Sequence, residues 1–346
     1  MTALAFITGL AATALSADER AFCHDASPWG LIIFKRNVET PEQTRRLVAS
    51  FRDAVGRADA PVLVDQEGGR VQRLGPPHWP AYPAGAEYGR LYDRDPEHGL
   101  AAARLGARLI AADLAALGID VNCLPLADVP VPGADRVIGD RAYGTSPAKV
   151  AAIAGAVAAG LAEGGVLPVL KHIPGHGRAN TDSHHALPVV EADRKTLETT
   201  DFAAFQALAR LPLGMTAHVV FKAIDPVTPA TTSVTIVREV IRDRIGFDGV
   251  LMTDDISMAA LKGAIDERCR AAIAAGCDVV LHCNGRLDEM RVVAAAVPPL
   301  AGEAARRAAA AQAARRPAMP IEVAAARSRF AAMMADAGAA NAGIAS

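Results

Sequence analysis

No two of the five cysteines (Cys23, Cys123, Cys269, Cys277 and Cys283) stand in a CxxC pair, and their number is odd. This argues against a disulfide framework and against a structural zinc site, and it fits a reducing compartment. No apolar run reaches the roughly 18 residues that a membrane span requires. No GxGxxG or GxxxxGKS/T follows an apolar run, so dinucleotide and phosphate-loop readings lose their main support. Neither sign of charge dominates: 36 Lys and Arg face 38 Asp and Glu, for a formal charge of −2. Such a chain has no global field to hold it on nucleic acid or on an anionic membrane. Small or neutral ligands remain.

What is present is enough apolar material for a sizeable core, with 51 % of the 346 residues hydrophobic against 21 % charged. Residues 3–15 (ALAFITGLAATAL) have the length and apolarity of a signal-peptide core. No Lys or Arg precedes them, however, and Ser16-Ala17-Asp18-Glu19 reads as a capping box that opens a helix. The segment is therefore expected to belong to the mature fold, in a cytoplasmic protein.

Short apolar runs recur at 4–8, 30–34, 61–65, 119–124, 167–171, 212–217, 248–253 and 278–283. They are nearly continuous rather than alternating, as parallel strands covered on both faces are. Helical patterns stand among them at 40–56, 96–117, 147–162, 194–209, 233–245 (with Ser233 as cap) and 258–275. Eight strands alternating with helices predict an α/β fold, a single TIM-type (β/α)8 barrel over residues 1–300, with a doubly wound sheet as the rival. After Pro298-Pro299 the composition turns rich in Ala and Arg, which predicts a helical extension over 301–346 that packs outside the barrel and frays at its end.

In a barrel of this type the chemistry sits just past the C-terminal ends of the strands. Polar residues do follow the apolar runs: Asp65-Gln66-Glu67, Asp128, Lys171-His172, His218 and Asp254-Asp255. The densest group runs from Lys171 to His185 and holds Pro174, Gly175 and Gly177, which predicts a loop. Within it Asp182 and His184 stand two apart, so in extended backbone both side chains lie on one side. A carboxylate there can accept the imidazole N–H, fix its tautomer and raise its basicity. The same polar residues can equally serve a plain surface loop. Four histidines in the stretch (His172, His176, His184, His185) also suggest a metal, but there is no HExxH and no compact ligand set. Asp254 ends an apolar run and is a candidate nucleophile or base, whereas Asp255 or Ser257 can supply the helix cap that a lone aspartate often provides. Asp65 can accept two sugar hydroxyls, with Arg73 bracing it, or can form a salt-bridged turn.

Taken together, FKRN (34–37), DQEGGRVQR (65–73), the segment 122–128, IGDRAYG (138–144), KHIPGHG with DSH (171–184) and TDDISM (253–258) resemble the NagZ-type bacterial β-N-acetylhexosaminidases of glycoside hydrolase family 3. The resemblance runs in consistent order over residues 5–290. It implies a barrel without the sandwich domain of larger relatives, and a retaining exo-β-N-acetylglucosaminidase that uses no cofactor. It places Asp254 as nucleophile and Asp182 with His184 as the general acid/base pair. Asp65, Arg141, Lys171 and His172 would grip the hydroxyls of the terminal sugar, with Arg73 and His218 as lesser members of that wall. The implied substrate is a muropeptide fragment in which GlcNAc is joined to anhydro-N-acetylmuramic acid, released in peptidoglycan recycling. The chain is expected to act as a monomer, with neither nucleic acid nor membrane as partner. Ile173 stands where the family often has Phe, and His185 where an apolar residue is common. β-Glucoside hydrolysis and phosphorolysis are rivals within the family. A metal-dependent barrel hydrolase and a catalytically dead sugar-binding barrel are rivals outside it.

Overall fold

The computed structural model describes residues 2–183 and 186–338. Eight strands form the barrel: β1 (Leu4–Thr8), β2 (Pro28–Ile33), β3 (Val62–Val64), β4 (Val121–Asn122), β5 (Leu167–Ile173), β6 (Leu213–Thr216), β7 (Val250–Asp255) and β8 (Val279–His282). Each pairs in parallel with the next, and β8 closes on β1 with Phe6 opposite Val280. Closure leaves no sheet edge, which removes the doubly wound alternative. The apolar run at 4–8 is thus a barrel strand, buried between β2 and β8.

Two strands depart from regular geometry where the site forms. Between β5 and β6, Leu170 faces Gly214 and Ile173 faces Thr216, so β5 carries one extra residue across Lys171-His172. Between β7 and β8, Met252 faces Val279 and Asp255 faces Leu281, which places an extra residue at Thr253-Asp254. Side chains alternate across a regular strand, and a bulge breaks that alternation. The two irregularities let neighbours in sequence, Lys171 with His172 and Asp254 with Asp255, line one cavity. They also carry β5 and β7 two residues beyond the apolar runs at 167–171 and 248–253.

Helix starts follow the capping chemistry. Ser16 Oγ accepts the Glu19 N–H at 3.1 Å and Glu19 accepts the Ser16 N–H at 2.9 Å, opening the helix Ala17–Ala26. Thr40 caps Pro41–Val55, and Ser233 Oγ accepts the Ile236 N–H at the head of Ile236–Arg244. The helical pattern at 194–209 is two short helices, Arg194–Thr199 and Asp201–Gln206. Arg178 separates them, because its Nε donates to Asp201 Oδ2 at 2.6 Å and its Nη2 to Thr200 Oγ1 at 2.9 Å. The pattern at 258–275 becomes helical only at Ile265, since residues 258–261 pack at the rim, where the Ala260 N–H donates to the Ser183 carbonyl. Helices Gly302–Ala314 and Val323–Gly338 follow the barrel, and the Phe330 ring stands 6.4 Å from both Tyr82 and Tyr88. No helix among the described residues is long and apolar enough to cross a membrane.

Candidate active site

A cavity of about 330 Å³ opens at the C-terminal rim of the barrel. Asp65, Arg73, Arg141, Lys171, His172, Asp182 and Asp254 all line it, although they come from the ends of four different barrel strands and the connections that follow them.

One wall is a chain of alternating charges. Asp65, just past β3, accepts from Arg73 Nη2 at 2.9 Å and from Lys171 Nζ at 2.9 Å. Lys171 also contacts Glu67 Oε1 at 2.7 Å, and Arg141 grips Glu67 with two parallel bonds of 2.9 and 2.8 Å. Lys171 is only 2 % exposed. Burial works against its charge, yet the two carboxylates outweigh that and raise its pKa. Burial likewise opposes ionisation of Asp65, but Lys171 and Arg73 hold its carboxyl well below the usual range. The result is a fixed row of cationic donors and anionic acceptors, suited to vicinal hydroxyl groups. Glu67 completes this row; it stands in the sequence among the polar residues after the third apolar run, but has no assigned role there. Its spacing of two from Asp65 is the signal that could have found it.

A second wall rests on Asp128, which is fully buried and accepts from His172 Nδ1 at 2.8 Å and from the His176 N–H at 2.7 Å. Burial disfavours its charge, but His172 and then His176 bring the pKa down. Because an ionised carboxylate only accepts, His172 carries its proton on Nδ1. Asp128 follows an apolar run in the sequence, but nothing there indicates which imidazole it would hold.

The floor is Asp254. Burial raises the cost of its charge, yet His172, His218, the Asp255 N–H at 2.8 Å and Lys171 together keep its pKa below the ordinary carboxylate value. It is therefore an anion at neutral pH, as a nucleophile must be. Asp255 takes the local structural role, accepting from Ser257 N at 3.1 Å, Ser257 Oγ at 2.7 Å and Cys283 N at 3.2 Å.

His218 differs from its expected place in the sugar-binding wall. It is fully buried and does not line the cavity. Nε2 lies 3.0 Å from the Asp255 carbonyl and Nδ1 lies 2.7 Å from Thr231 Oγ1, so both ring nitrogens are occupied inside the protein. Burial lowers its pKa, and it braces the end of β7 from behind. Asp182 and Ser183 line the cavity, and the Ala186 N–H donates to the Asp182 carbonyl at 3.1 Å. His184 and His185 lie outside the described residues. Among the described residues, no three His, Cys, Asp or Glu side chains gather into a group suited to a metal ion.

Residues 6–316 match the family model described as the glycosyl hydrolase family 3 N terminal domain. A beta-hexosaminidase of Alkalilimnicola ehrlichii is 42 % identical over 280 residues, which cover 80 % of this chain and 79 % of the relative. A beta-hexosaminidase of Chromobacterium violaceum is 37 % identical over 302 residues, covering 86 % and 84 %. In three dimensions the chain is similar to NagZ from Neisseria gonorrhoeae in complex with N-trifluoroacetyl-D-glucosamine, with a TM-score of 0.84, 33 % identity and 98 % of both chains covered. With a closed barrel, a half-buried anionic aspartate at its rim and a match over nearly the whole chain, the protein belongs to glycosyl hydrolase family 3 and is a glycoside hydrolase.

Proposed function

We propose that this hydrolase is a retaining exo-β-N-acetylglucosaminidase that removes terminal β-linked GlcNAc from muropeptide fragments such as GlcNAc-anhydro-N-acetylmuramic acid, in cytoplasmic peptidoglycan recycling. The observation that carries the reading is the convergence of an ionised Asp254, the charged row around Lys171, and Asp182 with Ser183 on one small cavity. Its volume lies at the lower end of ligand sites, which run from about 300 to 1,000 Å³, and this suits one terminal sugar. The resemblance to a structure holding an N-acylated glucosamine supports the amide sugar over glucose.

In the first step an Asp254 oxygen attacks the anomeric carbon, the glycosidic C–O bond breaks, and protonated His184 gives its proton to the leaving oxygen. In the second, His184 takes a proton from water, the hydroxide oxygen attacks the same carbon, and Asp254 is released. Asp182 would orient the imidazole, and Asp65, Arg73, Arg141, Lys171 and His172 would hold the hydroxyls. An imidazole titrates near 6.5 when unperturbed, so less tuning is needed than for a carboxylic acid in the same role. The test is release of p-nitrophenol from paired β-N-acetylglucosaminide and β-glucoside substrates. kcat/KM should favour the amide sugar by at least about 10²-fold, well within the roughly 10⁴- to 10⁵-fold by which a site can reject a substrate lacking a group that it hydrogen-bonds. Equal turnover of the two would overturn the substrate assignment.

A further inference from the structure

The segment bearing the acid/base pair leaves β5 at Ile173 and reaches the cavity again at Asp182 and Ser183. Its first turn is fixed by Asp128, through the His172 ring and the His176 backbone N–H. Gly177 then presses on the preceding connection: a Cβ there would stand 2.2 Å from the Val129 carbonyl oxygen, so only glycine lets the chain pass this close. From this anchored turn the His176 side chain reaches seven residues ahead, and its Nε2 lies 3.2 Å from Ser183 Oγ. Both residues are 3 % exposed. On its other side Ser183 is held through its carbonyl oxygen, which accepts the Ala260 N–H at 3.2 Å from the connection after β7. Ser183 is the residue between Asp182 and His184, and that same connection follows directly on Asp254 and Asp255 at the end of β7.

We propose that His176 and Ser183 form a clip that fixes the backbone of the acid/base segment at Ser183, making them positioning residues for protonation of the leaving group. The inference rests on the acid/base assignment proposed above and adds two residues to it. A hydrogen bond between neutral groups contributes only about 1 kcal/mol to stability, so the clip matters through geometry. The His176 ring also stands edge-on to His172, with centroids 5.7 Å apart, which couples the clip to the sugar-binding wall. Burial pushes the His176 pKa down to about 4, so the ring is neutral and the link does not switch near pH 7.

The experiment compares kcat/KM for two β-N-acetylglucosaminides, one with a sugar leaving group (GlcNAc-anhydro-N-acetylmuramic acid) and one with 2,4-dinitrophenol. kcat/KM reports steps up to bond cleavage, and dinitrophenolate departs without protonation. Ser183→Ala should lower kcat/KM about 10- to 100-fold for the sugar aglycone, the scale of a misplaced acid, and less than about 3-fold for the aryl substrate. His176→Phe should reproduce that split, the double variant should add little to it, and His176→Gln, which keeps an amide near the Nε2 position, should recover most of the loss. Equal losses on both substrates, or none on either, overturn the clip while leaving the glycosidase reading intact. A wild-type enzyme that cleaves neither substrate overturns both.

Discussion

Two adjacent aspartates end β7, and their hydrogen bonds divide the work between them. Asp255 spends its carboxylate on the Ser257 and Cys283 groups that close the turn, whereas Asp254 accepts the Asp255 N–H and faces the cavity. His176 is the residue whose titration has the clearest thermodynamic consequence. An unfolded histidine binds its proton near pH 6.5, but folded His176 does so only near 4, because burial, aided by His172, outweighs the opposing pull of Asp128 and Asp254. Between those values the unfolded chain holds more protons. Stability linked to this residue is therefore complete above about pH 6.5 and is lost as the pH falls toward 4, by up to about 3 kcal/mol. Urea unfolding at pH 7 and pH 4.5 should show a difference that shrinks by about 2 kcal/mol in His176→Gln. An unchanged difference would mean that His176 is solvated or already paired.

At the level of elements, the strands were legible because each is an apolar run long enough to be read alone. All eight runs overlap a barrel strand. The irregularities at Lys171-His172 and Thr253-Asp254 were not legible, since a bulge is defined by the register of the partner strand and leaves no mark on its own sequence. The break at Thr200 was hidden for a related reason: it depends on Arg178, more than twenty residues away. Packing around β6 offers a direct check. A Cβ on Gly214 would lie 2.7 Å from both Phe247 Cζ and Ile173 Cδ1, and Phe247 is fully buried. Gly214→Ala should therefore destabilise the protein by about 1–3 kcal/mol through overpacking, read as a lower urea midpoint at unchanged slope. A midpoint at or above that of the wild type would show that the barrel wall there has room to spare.

For the whole molecule, closure of the barrel gathers into one cavity side chains scattered from Asp65 to Asp254 in the chain. Much of that gathering could be read in advance, because residues just past the strands of a closed barrel share a rim. Asp65, Arg73, Arg141, Lys171, His172, Asp182 and Asp254 all reach it. His218 does not, although it too follows a strand, because its ring turns behind β7 to meet Thr231 and the Asp255 carbonyl. Which way a side chain turns at a strand end is decided by its tertiary partners. The proposed chemistry stands or falls on the bond between Asp254 and the sugar. Incubation with 2-acetamido-2-deoxy-5-fluoroglucosyl fluoride, followed by proteolysis and mass spectrometry, should place one glycosyl adduct on the peptide carrying Asp254 and none in Asp254→Asn. An adduct on Asp65 or Asp182, or rapid turnover with no trapped ester at all, would contradict it.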